Sequence, residues 1–135
     1  MAAPAFTHPR TTSRRRALDI LFAADVSGVA AAGVLASESD VDKAAHAIVE
    51  GVVAHADEID GLIRGYADRW ALERMPVVDR NLLRIGLYEI LHEPSVPAGA
   101  AVNDAVELAK MYSTEDSGRF VNGMLARASR EHPAR

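Results

Sequence analysis

Four arginines near one end of the chain, Arg10, Arg14, Arg15 and Arg16, are the side chains best suited to chemistry in this sequence. A guanidinium is a planar fork that grips phosphate at two points and stacks on bases. Three of the four lie in TTSRRRALDILF, residues 11–22, where Leu18, Leu21 and Phe22 recur at one-turn spacing. With Ser13 as N-cap and Gly28 as terminator, the pattern predicts a helix over about 14–26. The arginines then stand at its head, where the backbone dipole disfavours each cation by roughly 0.3–1 kcal/mol. A phosphate at that end reverses the sign, because cations and exposed N–H groups act on the same anion. Single-stranded RNA is gripped by such charge together with an aromatic platform. Phe22 and Phe120 are the platform candidates, against the alternative that both are ordinary core residues.

Other chemistry finds little to work with. The chain has no cysteine, which excludes disulfides, thiol nucleophiles and thiolate metal sites. Its five histidines show no pair one turn apart and no HExxH; His46 and His55 read as surface or edge residues, and no metal is expected. The nine glycines are scattered, without the cluster and lysine of a phosphate-binding loop. DEID, residues 57–60, lacks the alternating ligands of a calcium loop and reads as a solvated helix face. Ser113, Thr114 and Ser117 serve better as caps than as nucleophiles. No catalytic constellation emerges; the expectation is a non-enzyme without a cofactor.

At 135 residues the chain suits one domain with a sizeable core. The net charge of −4 argues against nucleic acid, but its distribution does not. Residues 1–24 carry four arginines against Asp19, for +3; residues 25–111 carry seven bases and fifteen acids, for −8; residues 112–135 come to +1. A basic arm on an acidic body fits a polyanion ligand, and a solvated basic tail fits equally well. The longest near-apolar run, GVAAAGVLA, is too short for a bilayer, so no membrane association and a cytoplasmic location are expected.

The elements that must position these residues are all helical by their spacing. Residues 1–12, with two prolines and no periodicity, predict a flexible lead-in to a single domain over 13–135, with subdomains at about 13–70 and 71–135. A short helix at most fits VAAAGVLASES. Ser39 or Asp40 then caps a helix of about seven turns, with Ile48, Val49, Val52, Ile59 and Ile63 inward and a bend near Gly51 or His55. Trp70, Leu72 and Met75 are expected to seal one end of the core. Asp79 opens a helix over about 79–92 with Leu82, Leu83, Ile85 and Leu87 inward, another runs to about Met111, and Phe120, Val121, Met124 and Leu125 mark the last. Asp116 is the expected N-cap of that final helix. Gly86 and Gly123 lie mid-helix, disfavoured by up to about 1 kcal/mol relative to alanine, with close helix approach as the expected compensation. Tyr88 and Tyr112 read as core-edge residues.

PVVDRNLLRIGLYEILH and VPAGAAVNDAVELAKMYSTEDSGRFVNGMLARA, residues 76–92 and 96–128, resemble the C-terminal half of the transcription antitermination factors of the NusB family. RRRALDILFAADVSG resembles that family's arginine-rich first helix, and the likeness spans about residues 10–130. It implies an all-α fold of about seven helices, an N-terminal three-helix part packed on a C-terminal bundle. It also implies binding to boxA RNA of ribosomal RNA leaders together with NusE, a small-subunit ribosomal protein, in an RNA polymerase antitermination complex. The RNA-binding positions carried over are Arg10, Arg14, Arg15, Arg16 and Phe22, with Asp116, Arg119 and Phe120. Glu73 and Asp79 are carried over as the NusE surface, and an acidic surface suits a basic partner. Thr11 and Thr12 depart from the more basic residues frequent in the family, and Phe22 stands where tyrosine is frequent.

Two other functions fit the same helices. NusB-like domains also target some ribosomal RNA methyltransferases to RNA, and such an enzyme needs a cofactor domain with glycine-rich and cysteine motifs. A purely helical interaction module is the other, since acidic or apolar surfaces could hold NusE or form a homodimer.

Overall fold

The computed structural model describes residues 9–68 and 70–133. Seven helices run in order through them: α1 (Pro9–Ser27), α2 (Ala31–Ser37), α3 (Lys43–Ala54), α4 (Ala56–Ala67), α5 (Val77–His92), α6 (Ala98–Tyr112) and α7 (Glu115–Glu131). A single 3-10 turn, Leu72–Arg74, links α4 to α5. The described residues contain no strand, and the expected all-α class holds.

α5 is the shared element. It packs against α1, α3, α4, α6 and α7 and buries nine of its own residues, from Asp79 to Glu89. A helix covered on nearly every side must be apolar around most of its circumference, which is why LLRIGLYEIL carries so few outward polar positions. α6 and α7, joined through Ser113 and Thr114, pack as a helical hairpin against it. One buried cluster runs from Ala17 and Ile20 of α1 through Ile48, Ile59, Leu83 and Leu108 to Leu125 and Ala128 of α7.

Several boundaries differ from the sequence expectation. α1 begins at Pro9, so residues 9–12 are helical, and the rest of the expected lead-in lies outside the described residues. Pro9 suits a helix start, where a missing N–H leaves nothing unsatisfied. Ser13 is therefore inside the helix, and its hydroxyl donates to Asp42 Oδ2 at 2.5 Å. Asp42, not Ser39 or Asp40, caps α3 by accepting from the Ala45 N–H at 3.1 Å. The Ser13 hydroxyl holds the Asp42 carboxyl below its ordinary pKa, and the backbone N–H groups of the α3 start add to this. The long helix divides at His55 into α3 and α4, at one of the two bend positions expected. Leu72 and Met75 seal the core as expected, whereas Trp70 is 39% exposed.

Glycine has a steric role where α3 meets α5 and where α5 meets α7. A Cβ on Gly51 would overlap the ring of Tyr88, and one on Gly86 would stand 2.6 Å from Leu125 Cδ1. Gly123 has open space around it, so close approach explains Gly86 and not Gly123. Gly51→Ala is expected to destabilise the protein by about 1–3 kcal/mol through overpacking, despite alanine's preference of about 1 kcal/mol for helix. Gly123→Ala is the control, expected to be neutral or stabilising. Urea midpoints of the two variants check this, and a Gly51→Ala midpoint at or above the parent's refutes the close contact.

A polar clamp fixes α1 and α4 on α5. Asp25 Oδ2 accepts from Arg80 Nε at 3.0 Å, Asn81 Nδ2 at 2.7 Å and Arg84 Nη1 at 3.0 Å. Arg84 Nε also donates to Asp60 Oδ1 at 2.9 Å. Burial pushes the Asp25 pKa up, but the bonds from Arg80 and Asn81 and the Arg84 charge outweigh it, and the net shift is downward.

Candidate nucleic-acid interface

The arginines of α1 divide between two faces of one helix. Arg10 and Arg14, one turn apart, point inward. Arg10 Nε donates to Glu89 Oε2 at 2.7 Å and its Nη2 to Glu93 Oε2 at 3.3 Å. Arg14 Nε donates to Glu89 Oε1 at 2.7 Å, and its Nη1 bonds Asp104 Oδ2 on α6. Thr11 donates to the same Asp104 oxygen at 2.6 Å. Arg14 is only 2% exposed and Glu89 1%. The expectation of Arg14 as a surface RNA ligand is thus corrected: it is a buried ionic tie between α1, α5 and α6. The premise of cations at a helix head also changes, because α1 starts earlier and Arg14–Arg16 lie beyond its first turn, where the dipole term fades.

Arg15 and Arg16 face outward. Arg16 Nη2 donates to Glu38 Oε1 at 2.9 Å in the segment after α2. Arg15 belongs to an exposed stripe of α1, Thr12, Arg15, Asp19, Phe22 and Val26, at alternating three- and four-residue steps. Phe22 is 41% exposed, so it is a surface aromatic and not a core residue. Arg15 Cζ stands 6.0 Å from the ring centroid of Tyr112, within range of a cation–π contact. Tyr112, the last residue of α6, is 43% exposed beside an exposed Met111. Its place against Arg15 is what sequence reasoning missed. Spacing puts it at a helix end, and no local signal shows that the end meets α1.

The start of α7 supplies the other group. Thr114, not Asp116, is its N-cap: the Thr114 hydroxyl accepts from the Ser117 N–H at 2.9 Å. Asp116 is free of capping and pairs with Arg119, both highly exposed. Phe120 is partly buried against the core and meets Trp70 edge-on, with ring centroids 4.8 Å apart. The structure therefore joins Arg15 to Tyr112, and Asp116 to Arg119, on either side of the α6–α7 turn. Arg10 and Arg14 lie on the inner side of α1.

The two acidic candidates also separate. Glu73 is exposed, pairs with Arg64 across 3.2 Å, and is held below its ordinary pKa by its own backbone N–H and by Arg64. Asp79 is 1% exposed, and its Oδ1 has no hydrogen-bond partner among the described residues. A side chain so buried offers no surface to a partner, which corrects that expectation. Among the described residues no helix is long and apolar enough to cross a membrane.

Residues 11–130 match the model of the NusB family. The chain is 48% identical over 128 residues to the transcription antitermination protein NusB of Clavibacter michiganensis subsp. michiganensis, covering 87% of this chain and 93% of that one. It is 45% identical to the NusB of Leifsonia xyli subsp. xyli, covering 92% and 93%. In structure it is similar to T. maritima NusB, with a TM-score of 0.84, 36% identity, and 95% and 94% of the two chains covered. It is also similar to a chain in the crystal structure of the antitermination factors NusB and NusE in complex with dsRNA, with a TM-score of 0.76, 29% identity, and 90% and 96% covered.

Proposed function

The chain belongs to the NusB family, and on that premise we propose that it is a non-catalytic, cytoplasmic antitermination factor binding boxA-type RNA together with NusE. The observation that carries the reading is the similarity, over nine-tenths of the chain, to a protein crystallised with NusE and RNA. The exposed stripe of α1 and the α6–α7 turn give that reading a surface: Arg15 and Arg16 supply phosphate contacts, and Phe22 and Tyr112 supply stacking faces. Arg119, Asp116 and Phe120 border the same turn. Arg10 sits at the inner edge, and Arg14 holds the helix in place beneath. NusE, a basic partner, suits the acidic middle of the chain, with Glu73 at its contact surface. The RNA–NusE complex then joins the RNA polymerase antitermination complex.

Fluorescence anisotropy with a labelled single-stranded boxA RNA, at fixed salt, tests this. Affinity is expected to rise when NusE is added, and the slope of log affinity against log salt to be negative, about 0.7 per neutralised phosphate. An RNA affinity indifferent to NusE refutes the reading.

A further inference from the structure

Outside the α1 surface, one cluster of side chains combines three ligating groups. His55 ends α3 and begins α4, with φ −112° and ψ 22°. Its backbone is tied on both sides, since its N–H donates to the Gly51 carbonyl at 3.1 Å and its carbonyl accepts from Ile59 at 2.9 Å. Glu58 lies in the following turn. His92, the last residue of α5, brings its ring face to face with His55, centroids 3.6 Å apart and planes 11° from parallel. One carboxylate oxygen, Glu58 Oε1, stands 2.6 Å from His92 Nε2 and 3.8 Å from His55 Nδ1. Among the described residues no lysine or arginine pairs with Glu58. Tyr88 stacks on both imidazoles, 6.4 and 6.3 Å away by centroids, as a wall behind them.

We propose that His55, Glu58 and His92 form a binding site for a borderline transition-metal dication of the zinc class. Two imidazoles and a carboxylate are a donor set suited to zinc, with a coordination position left for water. Calcium and magnesium are disfavoured, because they take oxygen ligands. A proton shared between one ring and Glu58 satisfies only that pair, whereas a dication accepts lone pairs from all three groups. The ligand atoms lie within 4.8 Å of one another. Ligands at about 2.0–2.1 Å from a tetrahedral ion stand about 3.3 Å apart, and rotation of these part-exposed side chains closes the difference. The ion would join the α3–α4 junction to the end of α5, where Glu89 and Glu93 hold Arg10 and Arg14 of α1. Local spacing hides the site, because His92 is remote from His55 in sequence and only the packing of α5 on α3 unites them.

The test is calorimetric titration of zinc chloride into the full chain, stripped with a chelator beforehand and kept at neutral pH. One ion per chain is expected, with a raised melting temperature, and cobalt(II) in its place should give the visible absorption of a four-coordinate site. Glu58→Gln, an exposed change that leaves the fold intact, should weaken binding at least about tenfold, the loss seen even for outer-shell partners. His55→Ala with His92→Ala should abolish the one-site isotherm, and His46→Ala should leave it unchanged. The proposal is overturned by an absence of saturable zinc binding, or by full affinity in the Glu58→Gln chain.

Discussion

Glu89→Ala lowers the unfolding free energy by about 3 kcal/mol, the low end of the range for breaking a buried ion pair by removing one partner. The low end applies because Asp104 still faces Arg14 after the change. Two arginines lose an acceptor, the Arg14 guanidinium remains buried, and its Nη2 is already without a hydrogen-bond partner among the described residues. For a chain of this size the melting temperature falls by roughly 10 °C. Arg14→Met combined with Glu89→Leu is expected to lose less than the two single changes together, since apolar residues of similar volume can replace a buried pair. Calorimetric melting of the four chains gives the coupling. A Glu89→Ala chain that melts with the parent would place Arg14 on the surface in solution, and the buried tie would be wrong.

Arg15→Ala combined with Tyr112→Ala weakens RNA binding by about 5- to 150-fold while the melting temperature stays within a degree or so of the parent. The range is the loss of one stacked base, about 1–3 kcal/mol by alanine substitution. Both side chains are exposed and neither supports the core, so stability has little to lose. Arg15 alone is expected to flatten the salt dependence by about 0.7 in log–log slope, one phosphate contact, whereas Tyr112 alone should leave the slope intact. Anisotropy titrations at several salt concentrations separate the two. Parental affinity in the double variant moves the RNA away from the α6–α7 turn.

Helix identity was legible wherever apolar residues recur along one face, as in Ile48, Val49 and Val52 of α3 or Leu82, Ile85 and Leu87 of α5. Caps were less so. Asp40, Asp42 and Ser39 can each cap in isolation, and only the approach of Ser13 from α1 favours Asp42. The arginines show the larger limit. Arg14 and Arg15 are neighbours of one type, yet the 100° between successive helical residues sends one under α5 and α6 and the other into solvent. What decides between them is the position of Glu89 and Asp104, remote in sequence. Tyr112 and the His55–His92 stack were hidden for the same reason: in each a helix end meets another helix, which no single helix reveals.

The edge-on pairing of Trp70 with Phe120 has a spectroscopic consequence. Trp70 is the one tryptophan of the chain, so selective indole excitation reads a single location without a label. That location is half open to water and leans on the first turns of α7, two residues ahead of the 3-10 turn that links α4 to α5. Its emission colour and quenching by small solutes therefore report how α7 sits on its neighbours. The wild-type chain thus carries its own optical gauge of the helix that follows the α6–α7 turn.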